Sequence, residues 1–149
     1  LLYRSAHPDP ARQAMSRLGS LPSQTLASLR DQIADHIAQR EVEVVRQLVH
    51  ACFREQRNPD GSRWPERADG SGRPLLLTLE DAVEVYHDGE TIYVDVPGKD
   101  YANYQFYGTR TIPSRMWAPA PGEPLPPEWR DAVDASVREF IATAWRNAR

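Results

Sequence analysis

Lysine is all but missing from this chain: of its 18 Lys and Arg residues only Lys99 is a lysine. Cysteine is scarcer still than a disulfide requires. Cys52 stands alone, so no intrachain bridge can form and stability must come from a packed core. No apolar run approaches the roughly 20 residues that cross a bilayer. The first 20 residues hold no continuous apolar segment of the kind an export signal carries, so none is expected. A basic surplus is also lacking, since the formal net charge is −3, which argues against a chain that grips nucleic acid over its whole surface. Catalytic spacing is missing too. There is no His-Glu-x-x-His, paired Cys, carboxylate cage or Lys-Ser/Thr phosphate loop, and His7, His36, His50 and His87 are scattered. No catalytic, metal-ligating or cofactor-binding residue and no cofactor is therefore expected, and the chain is read as not an enzyme.

What is present gives an α+β expectation. At 149 residues the length suits one domain with a modest core. Residues 1–22, broken by His7-Pro-Asp-Pro10, read as a flexible or partner-ordered arm with a short helix around Ala11–Leu18. Residues 23–149 read as the folded domain. Leu26, Leu29, Ile33, Ile37, Val44, Leu48 and Cys52, broadened by Val45, Val49 and Phe53, predict one amphipathic helix over Ser23–Gln56. Glu41 interrupts that stripe, so a bend near Arg40–Glu43 is one expectation. Unbroken, such a helix would be about 50 Å long, more than a small core needs, and another subunit would have to bury part of it.

Residues 57–74 form a turn-rich loop in which Asn58-Pro-Asp-Gly61 stops the helix and Trp64 marks a docked point. This loop and the arm are expected to order only under a partner subunit. Strands are expected over Ala82–Tyr86 and Thr91–Val96, joined at Asp88-Gly89. Ile92, Val94 and Val96 share one face, and Tyr93 and Asp95 the other. Residues 118–127 carry five of the 13 prolines and read as an extended spacer. Pro127 then opens a last helix that runs to Asn147, with Trp129, Val133, Val137, Phe140, Ile141 and Ala144 on its buried side, expected to pack on the sheet.

Tyr101, Tyr104, Phe106, Tyr107 and Trp117 crowd five aromatics into 17 residues. With Trp64 and Arg115 they are the candidate interface residues, being types enriched at binding hot spots. Arg115 reads either as a surface cation or as a guanidinium tying the aromatic loop to backbone carbonyls or a carboxylate, within or across a subunit boundary. Cys52 reads as a small core hydrophobe. A Cys52/His50 dyad is disfavoured, because side chains two apart on a helix diverge. Residues 75–100 carry seven acids against Lys99, a net of −6 that leaves the rest of the chain at +3. Glu84, Asp88 and Glu90 are the candidates for a repulsive lining around passing DNA, or else a solvated strand face.

Three passages resemble the phage virion-morphogenesis or tail-completion family of neck and tail-joining proteins. Phe53-Arg-Glu55 with Asn58-Pro-Asp-Gly-Ser-Arg-Trp64 is similar to that family's F-x-x-E…P-D-G-x-x-W passage. Tyr101-Ala-Asn-Tyr-Gln-Phe-Tyr-Gly108 resembles its Y-A-x-x-H-Q-F-G signature, with Tyr104 in place of His. Ile112-Pro-Ser-Arg115 is similar to its I-P-A-R stretch. The resemblance implies a non-enzymatic ring subunit, a hexamer, that joins tail to connector at the neck or tail end. The implied partners are further copies of itself, connector or head-closure proteins, and tail tube or terminator proteins. DNA would pass only as cargo, with no membrane involved, and the location would be the virion after assembly in a host cytoplasm. A small monomeric module that binds a peptide or nucleic acid is the competing expectation.

Overall fold

A computed structural model describes residues 2–4, 23–71 and 76–147. Its longest element is α1, Ser23–Glu55, which continues unbroken through Arg40–Glu43 with Glu41 buried in its course. The helix does not break where a bend was expected. Ala38, Val42, Val45, Val49, Cys52 and Phe53 form the innermost stripe of α1. Ile37, Val44 and Leu48, expected at the centre of the stripe, flank it instead. The stripe is displaced because this half of α1 is covered from two sides, by the strands and by the last helix. Toward its N-terminus Leu29 and Ile33 are only half-buried and the residues around them are exposed, so the helix runs past the core.

The C-terminus of α1 is closed by backbone geometry rather than by the Pro-Asp-Gly turn. Gln56 adopts φ 54, and the N–H groups of Gln56 and Arg57 donate to Phe53 O and Cys52 O at 3.4 and 3.1 Å. This pair of bonds around a left-handed residue satisfies carbonyls that a helix end leaves orphaned.

The strands follow. β1 (Leu2–Arg4), β2 (Glu84–Asp88) and β3 (Thr91–Asp95) make an antiparallel sheet in the order β1-β3-β2. β2 starts two residues later than expected, because Ala82 and Val83 still donate to Leu79 O and Glu80 O in a turn, and it ends two residues later, because Asp88 pairs with Thr91 and the loop is Gly89-Glu90. Gly89 takes φ 58, a conformation open to glycine in a two-residue hairpin loop. The expected face parity holds: Val85, Ile92 and Val94 are buried while Glu84, Tyr86 and Asp95 face out.

A short helix α2 (Leu77–Glu80) precedes the hairpin, and α3 (Ala102–Tyr107) follows it. The final helix, α4, runs Pro127–Asn147 as its sequence signals dictate. Trp129, Val133 and Val137 are its buried face; Phe140 and Ile141 are half-buried and Ala144 is exposed. Its main partner is α1 rather than the sheet, and α1 in turn lies on β2 and β3. The two helices run antiparallel, with Arg57 beside Glu128 at 3.5 Å and His36 beside Phe140 at a ring separation of 6.3 Å. The α+β architecture stands, with α1 as its middle layer.

The strand at Leu2–Arg4 falls inside the expected arm, whose remaining residues, including the expected helix over Ala11–Leu18, lie outside the described ones. Residues 57–71, expected to form a partner-dependent loop, make these contacts within the chain. Arg57 bridges Arg63, Asn58 N–H donates to Ser62 O at 2.8 Å, and Trp64 N–H donates to Gln56 O at 2.8 Å. Asp60 Oδ1 accepts from Ser62 N–H at 2.8 Å, and the Ser62 bonds hold its carboxyl below the ordinary carboxylate range. The chain thus satisfies this turn's polar groups locally. Residues 72–74 of the same loop are not among those described.

Candidate functional site

The three passages singled out in the sequence fold onto one another. Phe53, at the end of α1, stacks on Trp117 with ring centroids 5.4 Å apart and meets Trp64 edge-on at 5.5 Å. Phe106 on α3 closes the series against Trp117 at 5.0 Å. All four are at most 4% exposed. Aromatics bury roughly 150–250 Å² each, so this series supplies a large part of the core.

Hydrogen bonds fix how the passages cross. Trp64 Nε1–H donates to Met116 O at 3.0 Å, and Met116 N–H donates to Asn58 Oδ1 at 2.9 Å. Arg115 is buried. Its Nε donates to Pro65 O at 3.1 Å, Nη2 to Glu66 O at 3.3 Å and Nη1 to Gln105 Oε1 at 3.2 Å. Of the two readings of Arg115 the structure selects the tie to backbone carbonyls, and the tie lies within the subunit. Burial first, and the Arg67 charge second, pull the guanidinium below its ordinary pKa. A planar fork of donors suits three acceptors that arrive from different directions.

Trp64, Phe106, Arg115 and Trp117 are therefore consumed inside the chain. Tyr101, Tyr104 and Tyr107 are not. Ala102 and Phe106, four apart, turn inward on α3, so the tyrosines emerge on its outer side at 43%, 58% and 54% exposure. Tyr101 retains one anchor, a hydroxyl contact to Thr78 Oγ1 at 3.3 Å. Gly108 ends α3 at φ 76, where a Cβ would sit 2.8 Å from Ser114 N. Ser114 Oγ–H donates back to Phe106 O at 2.6 Å, so the 112–115 passage is laid directly against the helix end. Sequence periodicity had assigned no element to this stretch, since six residues are too few to show a helical repeat.

Glu84, Asp88 and Glu90 are all exposed. On the outer sheet face Glu84 and Asp88 stand on either side of Tyr86, which stacks on Tyr93 at 5.2 Å and 11° across the β2–β3 pair, while Glu90 sits in the hairpin loop. That pair of aromatics was missed by sequence reading, although the period-2 pattern already places both residues on one face. Among the described residues His50 lies beside Glu80 at 3.3 Å and His87 beside Asp35 at 3.7 Å. Cys52 is buried and burial pushes its thiol pKa up to about 12, which suits a packing role and leaves no thiolate near neutrality. Among the described residues no group of three or more His, Cys, Asp or Glu is placed to hold a metal ion. No described helix is long and apolar enough to cross a membrane. Comparison with protein-family models, with curated proteins and with solved structures returns no match.

Proposed function

We propose that this chain is a non-enzymatic structural subunit of a phage-like particle, forming a homo-oligomeric ring at the head–tail junction or tail end. The observation that carries the reading is the convergence of the three family-like passages on one scaffold. Arg115, Trp64 and Trp117 lock that scaffold, and it presents Tyr101, Tyr104 and Tyr107 outward. Rigid backing under amphipathic aromatics is the arrangement that protein interfaces favour. The length of α1 beyond the core and the half-exposed Trp145 at the far end of α4 add a second surface suited to a neighbouring copy. In this reading the acids of the β2–β3 hairpin face the DNA path, and connector and tail proteins lie above and below the ring.

Native mass spectrometry and negative-stain imaging of the purified chain, alone and with its neighbours, test the proposal. Rings of about six copies are expected, as closed cyclic assemblies are the rule for such subunits. A species that stays monomeric with those neighbours and captures a peptide or nucleic acid would favour the small binding module instead.

A further inference from the structure

The large apolar side chains that the described residues leave exposed fall in three places. Tyr101, Tyr104 and Tyr107 make a row on α3, Tyr86 stands on the sheet, and Trp145, 53% exposed, lies near the end of α4. α3 sits at the C-terminal end of α1, where Phe53 and Phe106 both meet Trp117. Trp145 sits at the other end of the helix pair, past the point where Phe140 stands beside His36. About 25 Å of α1 lies between Phe53 and His36, so the row and Trp145 occupy opposite ends of the molecule.

Each end also carries an exposed charge. Thr109 N–H donates to Ile112 O at 2.7 Å, and Thr109 Oγ1 accepts from Ile112 N–H at 3.0 Å. That closed turn directly follows α3 and exposes Arg110 at its tip. On α4, Glu139 is exposed less than two turns before Trp145. Neither forms an ion pair among the described residues.

Symmetry limits what can cover the row. A patch that meets itself builds a two-fold pair, whereas a cyclic ring of more than two copies joins two unlike patches. In a ring the row must therefore meet a different surface of the next copy. Tyr86 stands among the hairpin acids, which face the DNA path in the ring reading, and Trp145 remains. Three rings about half exposed offer roughly 300 Å², small for a lone pair of copies. A closed ring makes the contact at both ends of every copy, which offsets the small area.

We infer that the tyrosine row of one copy seats on the Trp145 end of α4 in the next copy, with Arg110 placed against Glu139 across the boundary. The contact rests on the ring reading, since only a head-to-tail assembly requires it.

The test uses the full-length chain in two variants that each keep one surface. Tyr104→Ser with Tyr107→Ser keeps Trp145, and Trp145→Ser keeps the row. Neither should form rings alone in sedimentation velocity. The ¹⁵N-labelled tyrosine variant retains a Trp145 indole signal, identified by its absence from Trp145→Ser. That signal should shift saturably when unlabelled Trp145→Ser is added, and not when more of the tyrosine variant is added. Arg110→Glu should weaken ring assembly about fivefold or more, beyond the worth of one exposed ion pair. Arg110→Glu combined with Glu139→Arg should restore it, and failure to restore would overturn that pairing. Parent rings alongside an unresponsive Trp145 signal, or Trp145→Ser rings equal to the parent's, would overturn the contact and leave the ring reading standing. A parent chain that stays monomeric while the Trp145 signal still saturates would overturn the ring and keep the contact. Monomers with no response at Trp145 would overturn both.

Discussion

Arg115 holds Gln105 at two points: its main-chain N–H donates to Gln105 O at 2.9 Å, and its Nη1–H donates to Gln105 Oε1 at 3.2 Å. Because the same guanidinium also serves Pro65 O and Glu66 O, it joins the 58–66 turn, α3 and the 112–117 passage. Removing it leaves the partly buried bonds to Pro65 O, Glu66 O and Gln105 Oε1 without their donor and opens a cavity where the buried Arg115 side chain packs. Arg115→Ala should therefore cost about 2–4 kcal/mol of stability, read as a lower urea midpoint for the isolated subunit. Arg115→Lys keeps the charge but lacks the fork, and should recover less than half of that loss. A midpoint unchanged in Arg115→Ala would contradict the tie.

Gly108 gives a backbone counterpart. At φ 76, with Ser114 N and Ile112 O within 2.8 and 3.0 Å of a built Cβ, alanine meets both torsional strain and a clash with main chain. Gly108→Ala should destabilise by about 2 kcal/mol or more, visible as a lower thermal midpoint. Gly98, also at positive φ but with open space around it, should lose less on the same change, which separates strain from collision.

The tyrosines outside this frame should behave in the opposite way. Tyr104→Ser with Tyr107→Ser removes exposed rings that carry no side-chain hydrogen bond in the described contacts, so subunit stability should stay within about 0.5 kcal/mol per site. Oligomer formation should fall, measured by sedimentation velocity across a concentration series. Assembly identical to the parent chain would remove α3 from the interface.

Cys52 yields a pH expectation. Its thiol pKa is raised to about 12 in the folded chain from an ordinary value of 9.0, mainly by burial. Folding thus favours the protonated form. The unfolded chain releases its proton first, so this contribution is complete below about pH 9 and is lost as pH rises toward 12. Stability should decline over that window less steeply in Cys52→Ala than in the parent, after allowing for the constant packing loss. At pH 8 the native thiol should resist alkylation until denaturant unfolds the chain.

Long periodic elements were legible in the sequence because burial repeats along them: α1 and α4 carry enough turns for the pattern to stand out, and β3 alternates cleanly. Gln56 shows where that reading stops. It ends α1 through a positive φ that composition assigns to glycine, so the sequence points to the right end but credits it to Asn58-Pro-Asp-Gly61. Trp64 and Arg115 show a second limit. Both are hot-spot residue types, but only the crossing of passages some 50 residues apart decides whether such a residue faces a partner or its own core. The outward turn of Tyr101, Tyr104 and Tyr107 depends equally on which side of a six-residue helix meets Trp117.

The acids of the hairpin test the proposed DNA path. Glu84, Asp88 and Glu90 are exposed, and changing all three to Lys would move the formal net charge from −3 to +3. Each side chain is outside the core, so the fold and ring formation should survive. What changes is the field at the strand face, since every Lys near phosphate adds affinity through counterion release. The triple variant should acquire duplex binding that weakens steeply with salt, measurable by fluorescence anisotropy, while the parent chain shows none. In assembled particles it should slow DNA passage if this face lines the channel, because a lining that holds phosphate retains its cargo. If instead the face meets a basic ring above or below, the same variant should fail to join that neighbour while rings of the variant alone still form. Normal joining together with normal DNA delivery would leave these acids as a solvated strand face and exclude both roles.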